Sequence, residues 1–147
     1  MSFVPEDFEP PPGLRAAGLA LEPLGPEHNE RDYGAWSSSV DHIRASPGFA
    51  GRSWPREMTL ADNLADLEGH ARDFAERRGF TYTVLDPGTG DVVGCVYVYP
   101  AGDDAHDVEV RSWVRADRAE LDGPLRRAVR DWLAAEWPFA RVAYAGV

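Results

Sequence analysis

DVEVRSWVRADRAELDGPL, residues 107–125, passes from a β-rich run into the start of a helix, with charges of both signs and a Gly-Pro pair at the joint. Side chains alternate along extended backbone, so Asp107, Glu109, Arg111 and Trp113 share one face of the predicted strand. Beyond the joint, Leu125, Ala128, Val129, Trp132 and Leu133 recur at helical spacing, and Pro138 ends that helix. Strand-to-helix joints are places where proteins of mixed α and β structure present backbone N–H groups to anions. Two readings of residues 114–125 stand side by side. One is a phosphate-binding turn; the other is a plain helix start with Asp122 as cap and Pro124 in the first turn.

Upstream of this strand lie FTYTVL (80–85) and VVGCVYVYP (92–100), joined by the turns DPGTGD and AGDDAH, which predicts an antiparallel meander of three strands. Before the meander, Thr59 and Asp62 have the spacing of a capping box. Leu60, Leu64, Leu67, Ala71 and Phe74 then fall on one helical face until Gly79. Tyr33, Trp36, Val40 and Ile43 predict an earlier helix over about 30–44, with Asn29 as its cap. LALEPL (19–24) and ARVAYA (140–145) complete the set as first and last strands. The order is β-α-α-β-β-β-α-β, an α+β chain read as one domain over 14–147. The Pro-rich, acidic residues 1–13 are expected to form a mobile arm that packs on the body through Phe3 or Phe8.

With 147 residues and a formal net charge of −10, the chain has room for one core and carries no cationic surplus. That balance argues against nucleic acid or an anionic membrane as a partner and favours cationic or neutral ones. All fifteen basic residues are Arg, so no lysine nucleophile is available. The absence of a signal-like start and of a long apolar run implies a cytoplasmic protein. Cys95 has no partner for a disulfide and reads as a small buried hydrophobe. His28, His42, His70 and His106 show no metal-ligand spacing and read as surface or capping residues. Ser37, Ser38 and Ser39 lie within the first helix and not at a nucleophile elbow. Tyr82, Tyr97, Tyr99 and Trp113 build either core or the wall of a cleft.

The ordered set of elements resembles the GNAT superfamily of acyl-CoA-dependent N-acetyltransferases. Leu21-Glu22-Pro23-Leu24 is similar to the superfamily's first strand, Val93-Gly94-Cys95-Val96 to its third, and Val108-Glu109-Val110-Arg111-Ser112-Trp113-Val114 to its fourth, over a match covering roughly residues 19–145. The resemblance implies a mixed, mainly antiparallel sheet with helices on both faces. It also implies acetyl-CoA as co-substrate and a small-molecule or peptide amine as acceptor. By the same resemblance the backbone of Trp113 and Val114 would pair with pantetheine, while Arg115, Arg118 and Gly123 would belong to the pyrophosphate loop. Leu121 stands where that loop has its first glycine, and Pro124 removes an N–H from the helix start. Glu109 is the base to which the resemblance points; the other reading pairs it with Arg111 or a neighbouring strand. The chain stops at Val147, before the superfamily's last helix and strands, so Tyr144 is not the tyrosine that protonates the departing thiolate. An uncovered edge at 140–145 is then expected to take either the arm or a second copy in a homodimer. An N-acetyltransferase and a non-catalytic binding or interaction module with the same fold both follow from these residues.

Overall fold

The computed structural model describes residues 2–147; Met1, the first residue of the predicted arm, lies outside the described residues. Six strands pair in chain order: β1 (Leu14–Ala16), β2 (Leu19–Pro23), β3 (Phe80–Leu85), β4 (Val92–Pro100), β5 (Val108–Val114) and β6 (Val142–Tyr144). Every neighbouring pair is antiparallel except β5 and β6, which run parallel. A parallel pair needs a crossover, and helix α4 (Asp122–Glu136) supplies it. Helices α1 (Asn29–Ser37), α2 (Val40–Ala45) and α3 (Leu60–Ala75) cover the opposite face. The predicted α+β architecture, with helices on both faces of a mainly antiparallel sheet, is the observed one.

Strand register makes the two faces chemically different. Thr81 sits opposite Tyr97, Thr83 opposite Cys95, Tyr97 opposite Arg111 and Tyr99 opposite Glu109, so polar and aromatic side chains collect under α1 and α3. The alternate positions, Tyr82, Val84, Val96, Val98, Val108 and Val110, form an almost wholly apolar face against Leu125, Val129, Trp132 and Leu133 of α4. Residues 2–13 lie along that apolar side. Phe3 stacks between Phe80 and Phe139 at 6.0 and 5.2 Å, Phe8 meets Trp137 at 5.3 Å, and the Tyr82 hydroxyl donates to the Pro11 carbonyl.

Several local expectations change. A strand at Leu14–Ala16 was not predicted; it returns into β2 through Ala17 and Gly18, both at positive φ, a two-residue hairpin turn. The helix predicted over 30–44 is two helices, broken at Ser38 and Ser39. There the Ser39 hydroxyl turns away to accept the Ala116 N–H at 2.8 Å, a local side-chain bond that competes with helix continuation. Asn29 is the first residue of α1 and not its cap; its side chain donates to the Leu60 carbonyl. The Thr59–Asp62 capping box is present with both bonds, at 3.0 and 3.1 Å. The buried face of α3 runs through Asn63 and Leu67, and Leu60 and Leu64 are exposed. After α3 it is Arg77 that takes positive φ; Gly79 serves instead to admit the Tyr99 ring, which a Cβ there would overlap.

Gly94 sits at a close approach in the central ladder, since a Cβ on it would run into the Trp113 carbonyl oxygen. Gly94→Ala is expected to lower stability by roughly 1–3 kcal/mol in urea unfolding, the range for overpacking a filled site. Gly102→Ala, where an added Cβ meets no neighbouring atom, should stay within about 0.5 kcal/mol of the parent.

Candidate functional site

The polar face of the sheet and the helices above it enclose a cavity of about 430 Å³. Trp54, Phe49, Tyr97 and Tyr99 form its aromatic walls, and Asp32 from α1 with Asp66, His70 and Asp73 from α3 supply its polar groups. Arg111 of β5 enters from the sheet, its guanidinium carbon 5.3 Å from the Phe49 ring and 5.5 Å from the Tyr97 ring, within the range of cation–π attraction. Tyr97 is fixed from below by the Trp113 indole N–H at 2.9 Å. Tyr97, Tyr99 and Arg111 thus wall a cleft, whereas Tyr82 and Trp113 are core.

Asp32 is buried, 4% exposed, and burial pushes its carboxyl up to about 6 against the opposing pull of Asn63 and His28. Asn63 donates to Asp32 Oδ2 at 3.1 Å while accepting from the Trp36 indole. Asp32 Oδ1 has no hydrogen-bond donor among the described residues, and Asp32 lines the cavity. His70 is held by Tyr99 and Thr81, whose hydroxyl oxygens lie 2.9 and 3.1 Å from Nδ1. The Tyr99 proton goes to Asp73 Oδ2 at 2.9 Å, so toward His70 the phenol oxygen can only accept. Nδ1 therefore carries the imidazole proton and Nε2 the lone pair. Burial lowers the His70 pKa from its ordinary value despite Asp66 and Asp73, which favours this neutral form near pH 7.

On the other side of β5 lies a backbone edge. The Arg115 N–H bonds the Val93 carbonyl, making 93 and 115 a hydrogen-bonded pair of the antiparallel ladder. Such pairs alternate, so Trp113, Arg111 and Glu109 direct their backbone toward β4, and Ser112 and Val114 direct theirs the other way. β6 pairs only with residues 108–110 and ends at Tyr144, leaving the Ser112 and Val114 edge beyond it. The Ser112 hydroxyl meets the Tyr144 hydroxyl there. Close by, Arg126 of α4 is 7% exposed, and its Nε and Nη2 have no hydrogen-bond partner among the described residues. Asp122 at the same corner reaches His42 of α2 at 2.9 Å, and its Oδ1 stands 3.5 Å from Arg126.

The residues selected from sequence fall in different places. Val114 is on the open edge, and the backbone of Trp113 is taken by β4. Arg115 bonds Asp117 and the Val92 carbonyl, and Arg118 bonds Asp86 at 3.2 Å, both on the side of the β3–β4 turn. Gly123 sits in the first turn of α4 beside the Arg127 side chain. Residues 116–121 form two 3-10 turns kinked at Arg118, the second leading into α4, and Asp122 makes no capping bond. Glu109, partly exposed, pairs with Arg52 at 3.0 Å and Arg111 at 3.4 Å. His42 and His70 are neither capping residues nor plain surface, whereas the buried His28 does cap a turn by accepting the Gly25 N–H. Cys95 is buried as expected. Asp32 is not singled out by the sequence and His70 reads there as a surface or capping residue, yet both carry a signal: Asp32 precedes the core residue Trp36 by four, and His70 follows Leu67 by three.

No family model matches the chain, and no curated protein matches it in sequence. Solved structures do match in fold, and together with the strand order and the parallel pairing of β5 with β6 they define it as the GNAT acyltransferase fold. The ribosomal-protein-S5-alanine acetyltransferase from Vibrio fischeri aligns at a TM-score of 0.69 and 14% identity, over 90% of this chain and 72% of its own. RimJ of Mycobacterium smegmatis, in complex with CoA-disulfide, aligns at 0.66 and 15% identity over 90% and 65% of the two chains. The microcin C7 self-immunity acetyltransferase MccE, in complex with acetyl-CoA and AMP, aligns at 0.61 and 14% identity over 85% and 66%. Among the described residues no helix is long and apolar enough to cross a membrane, and no cluster of ligating side chains could hold a metal.

The raised pKa of Asp32 gives a stability test. Between its unfolded value of 3.8 and its folded value of about 6 the native state holds a proton that the unfolded state has lost. Stability from this group is therefore present at low pH and lost as pH rises through the window, by about 3 kcal/mol in all. Asp32→Asn should gain on the parent by that order between pH 4 and pH 7, measured as the difference between their urea-unfolding free energies.

Proposed function

We propose that the protein transfers an acetyl group from acetyl-CoA to an amine held in the cavity. The observation that carries this reading is the free Ser112 and Val114 edge of β5, on the strand whose other face bears Arg111 and Trp113. Bound along that edge, acetyl-CoA supplies a thioester carbonyl that an uncharged amine attacks, with CoA leaving as the thiol. Arg126 fits the pyrophosphate: two of its nitrogens are buried without hydrogen-bond partners, beside the N-terminal turn of a 15-residue helix. Leu121 and the Asp122 carboxylate oppose a phosphate there, and the contact of Asp122 with His42 offsets part of that repulsion. His70 takes the proton from the ammonium at Nε2, since Nδ1 is held by Tyr99 and Thr81. Glu109 is the rival acceptor; to take a proton it must give up Arg52 and Arg111.

Calorimetric titration tests the first half. Acetyl-CoA and CoA should bind, and ATP at least tenfold more weakly; equal binding of ATP would reduce the site to loose anion attraction. Arg126→Gln should weaken CoA by roughly 1–3 kcal/mol, the scale of a charge-assisted bond, with Arg118→Ala near neutral. For the second half, kcat/KM should fall on the acid side with an inflection below 6.5, the ordinary histidine value, because the His70 pKa is lowered. Glu109→Gln should leave that limb in place, and His70→Gln should lower kcat and reduce the limb to the part contributed by Asp32, which titrates at about 6 in the same cavity. A folded protein that binds no acetyl-CoA would favour the non-catalytic module.

A further inference from the structure

The cavity is more specific than an amine site needs to be. Three of its polar groups, Asp66, His70 and Asp73, follow one another at helical spacing on α3, and Asp32 of α1 is tied to the same helix through Asn63. Two turns of α3 separate Asp66 from Asp73 and bring both onto the face that lines the cavity. Against three carboxylates the cavity holds one permanent cation, Arg111, and that guanidinium is already stacked on two rings and paired with Glu109. Asp73 gives one oxygen to Arg78 and the other to Tyr99, whereas Asp32 and Asp66 have no ion-pair partner among the described arginines. The buried Asp32 also keeps an oxygen free of any donor. The same cavity has aromatic walls that already hold one cation, and a buried carboxylate without a counter-ion calls for one.

We propose that the acceptor is an alkyl diamine or short polyamine, bound as a dication in the cavity between the buried Asp32 and the solvent-exposed Asp66. This rests on the acetyl-transfer reading and names its substrate class. A monoamine satisfies one of the two carboxylates only. An amino acid or other carboxylate-bearing amine brings a negative charge against three aspartates, with Arg111 already engaged. A dication satisfies both ends, and its methylenes lie against Trp54 and Tyr97. The ammonium at Asp32 stays charged as an anchor. The other, between Asp66 and His70, passes its proton to Nε2 and becomes the nucleophile.

Binding is measured first, without acetyl-CoA, by calorimetry at about physiological ionic strength, where loose surface attraction is screened. The probes are 1,4-diaminobutane, spermidine, butylamine and magnesium chloride. The diamine and spermidine are expected to bind at least tenfold more tightly than butylamine and magnesium. Asp66→Asn, altered at an exposed helix position, should lose at least tenfold for 1,4-diaminobutane and less than threefold for butylamine, with circular dichroism confirming its fold. Trp54→Leu, which leaves the carboxylates intact, should weaken all three amines. Equal binding of butylamine, magnesium as tight as the diamine, no amine binding, or an unaffected Asp66→Asn variant would each overturn the proposal. Acetyl-CoA turnover with the diamine is read separately. Tight diamine binding without acetyl transfer would sink the acetyltransferase reading, and transfer to butylamine as efficient as to the diamine would sink the substrate class alone.

Discussion

The alternation of side chains along β5 is the constraint on which the rest of the molecule depends. Seven consecutive residues pair with β4 on one edge, and the pleat sends Val108, Val110 and Val114 to one face and Glu109, Arg111 and Trp113 to the other. The valine face fixes α4 through Leu125, Val129 and Leu133, and α4 in turn returns the chain parallel to β5 as β6. The opposite face carries Arg111 into the cavity and Trp113 beneath it. A slip of one residue between β4 and β5 would exchange the faces, burying a glutamate and an arginine against α4.

The ladder also sets the division between held and free backbone. On the β4 edge it is continuous from Val108 to Val114, close enough at Gly94 to forbid a side chain. On the β6 edge it covers three residues. An edge with unpaired N–H and C=O groups in a protein interior must find partners or leave them exposed to a ligand. The surrounding groups, Ser112 with Tyr144 and Asp122 with His42, have turned to one another, and Arg126 has not been fully satisfied.

Above the other face, several buried polar groups place one another. Trp36 holds Asn63, Asn63 holds Asp32, Asp73 orients Tyr99, and Tyr99 decides which His70 nitrogen bears the proton. Leaving such groups unpaired costs more than pairing them gains, so the network fixes side-chain directions as firmly as apolar packing fixes the helices. Burial raises the Asp32 pKa and lowers that of His70, bringing a carboxylate and an imidazole closer in proton affinity than their ordinary values.

By itself the sequence determined the elements with strong periodicity: the meander over residues 80–114, α3 with its Thr59–Asp62 box, α4, and the order that places them in an α+β sheet. These are local properties, written in apolar spacing and capping chemistry a few residues long. It also drew attention to β5 and to the arginines that follow it. Arg115 and Arg118 follow β5 in the chain and turn toward Asp117 and Asp86, whereas Arg126, a full turn into α4, is the cation that points inward. Only the tertiary structure decided that, because Arg118 meets Asp86 of the β3–β4 turn and Arg126 is buried by parts of the chain outside its own helix. The same holds for the cavity. Asp32, His70, Tyr99 and Arg111 lie far apart in the chain and meet only because antiparallel register stacks β4 and β5 beneath two helices that precede them.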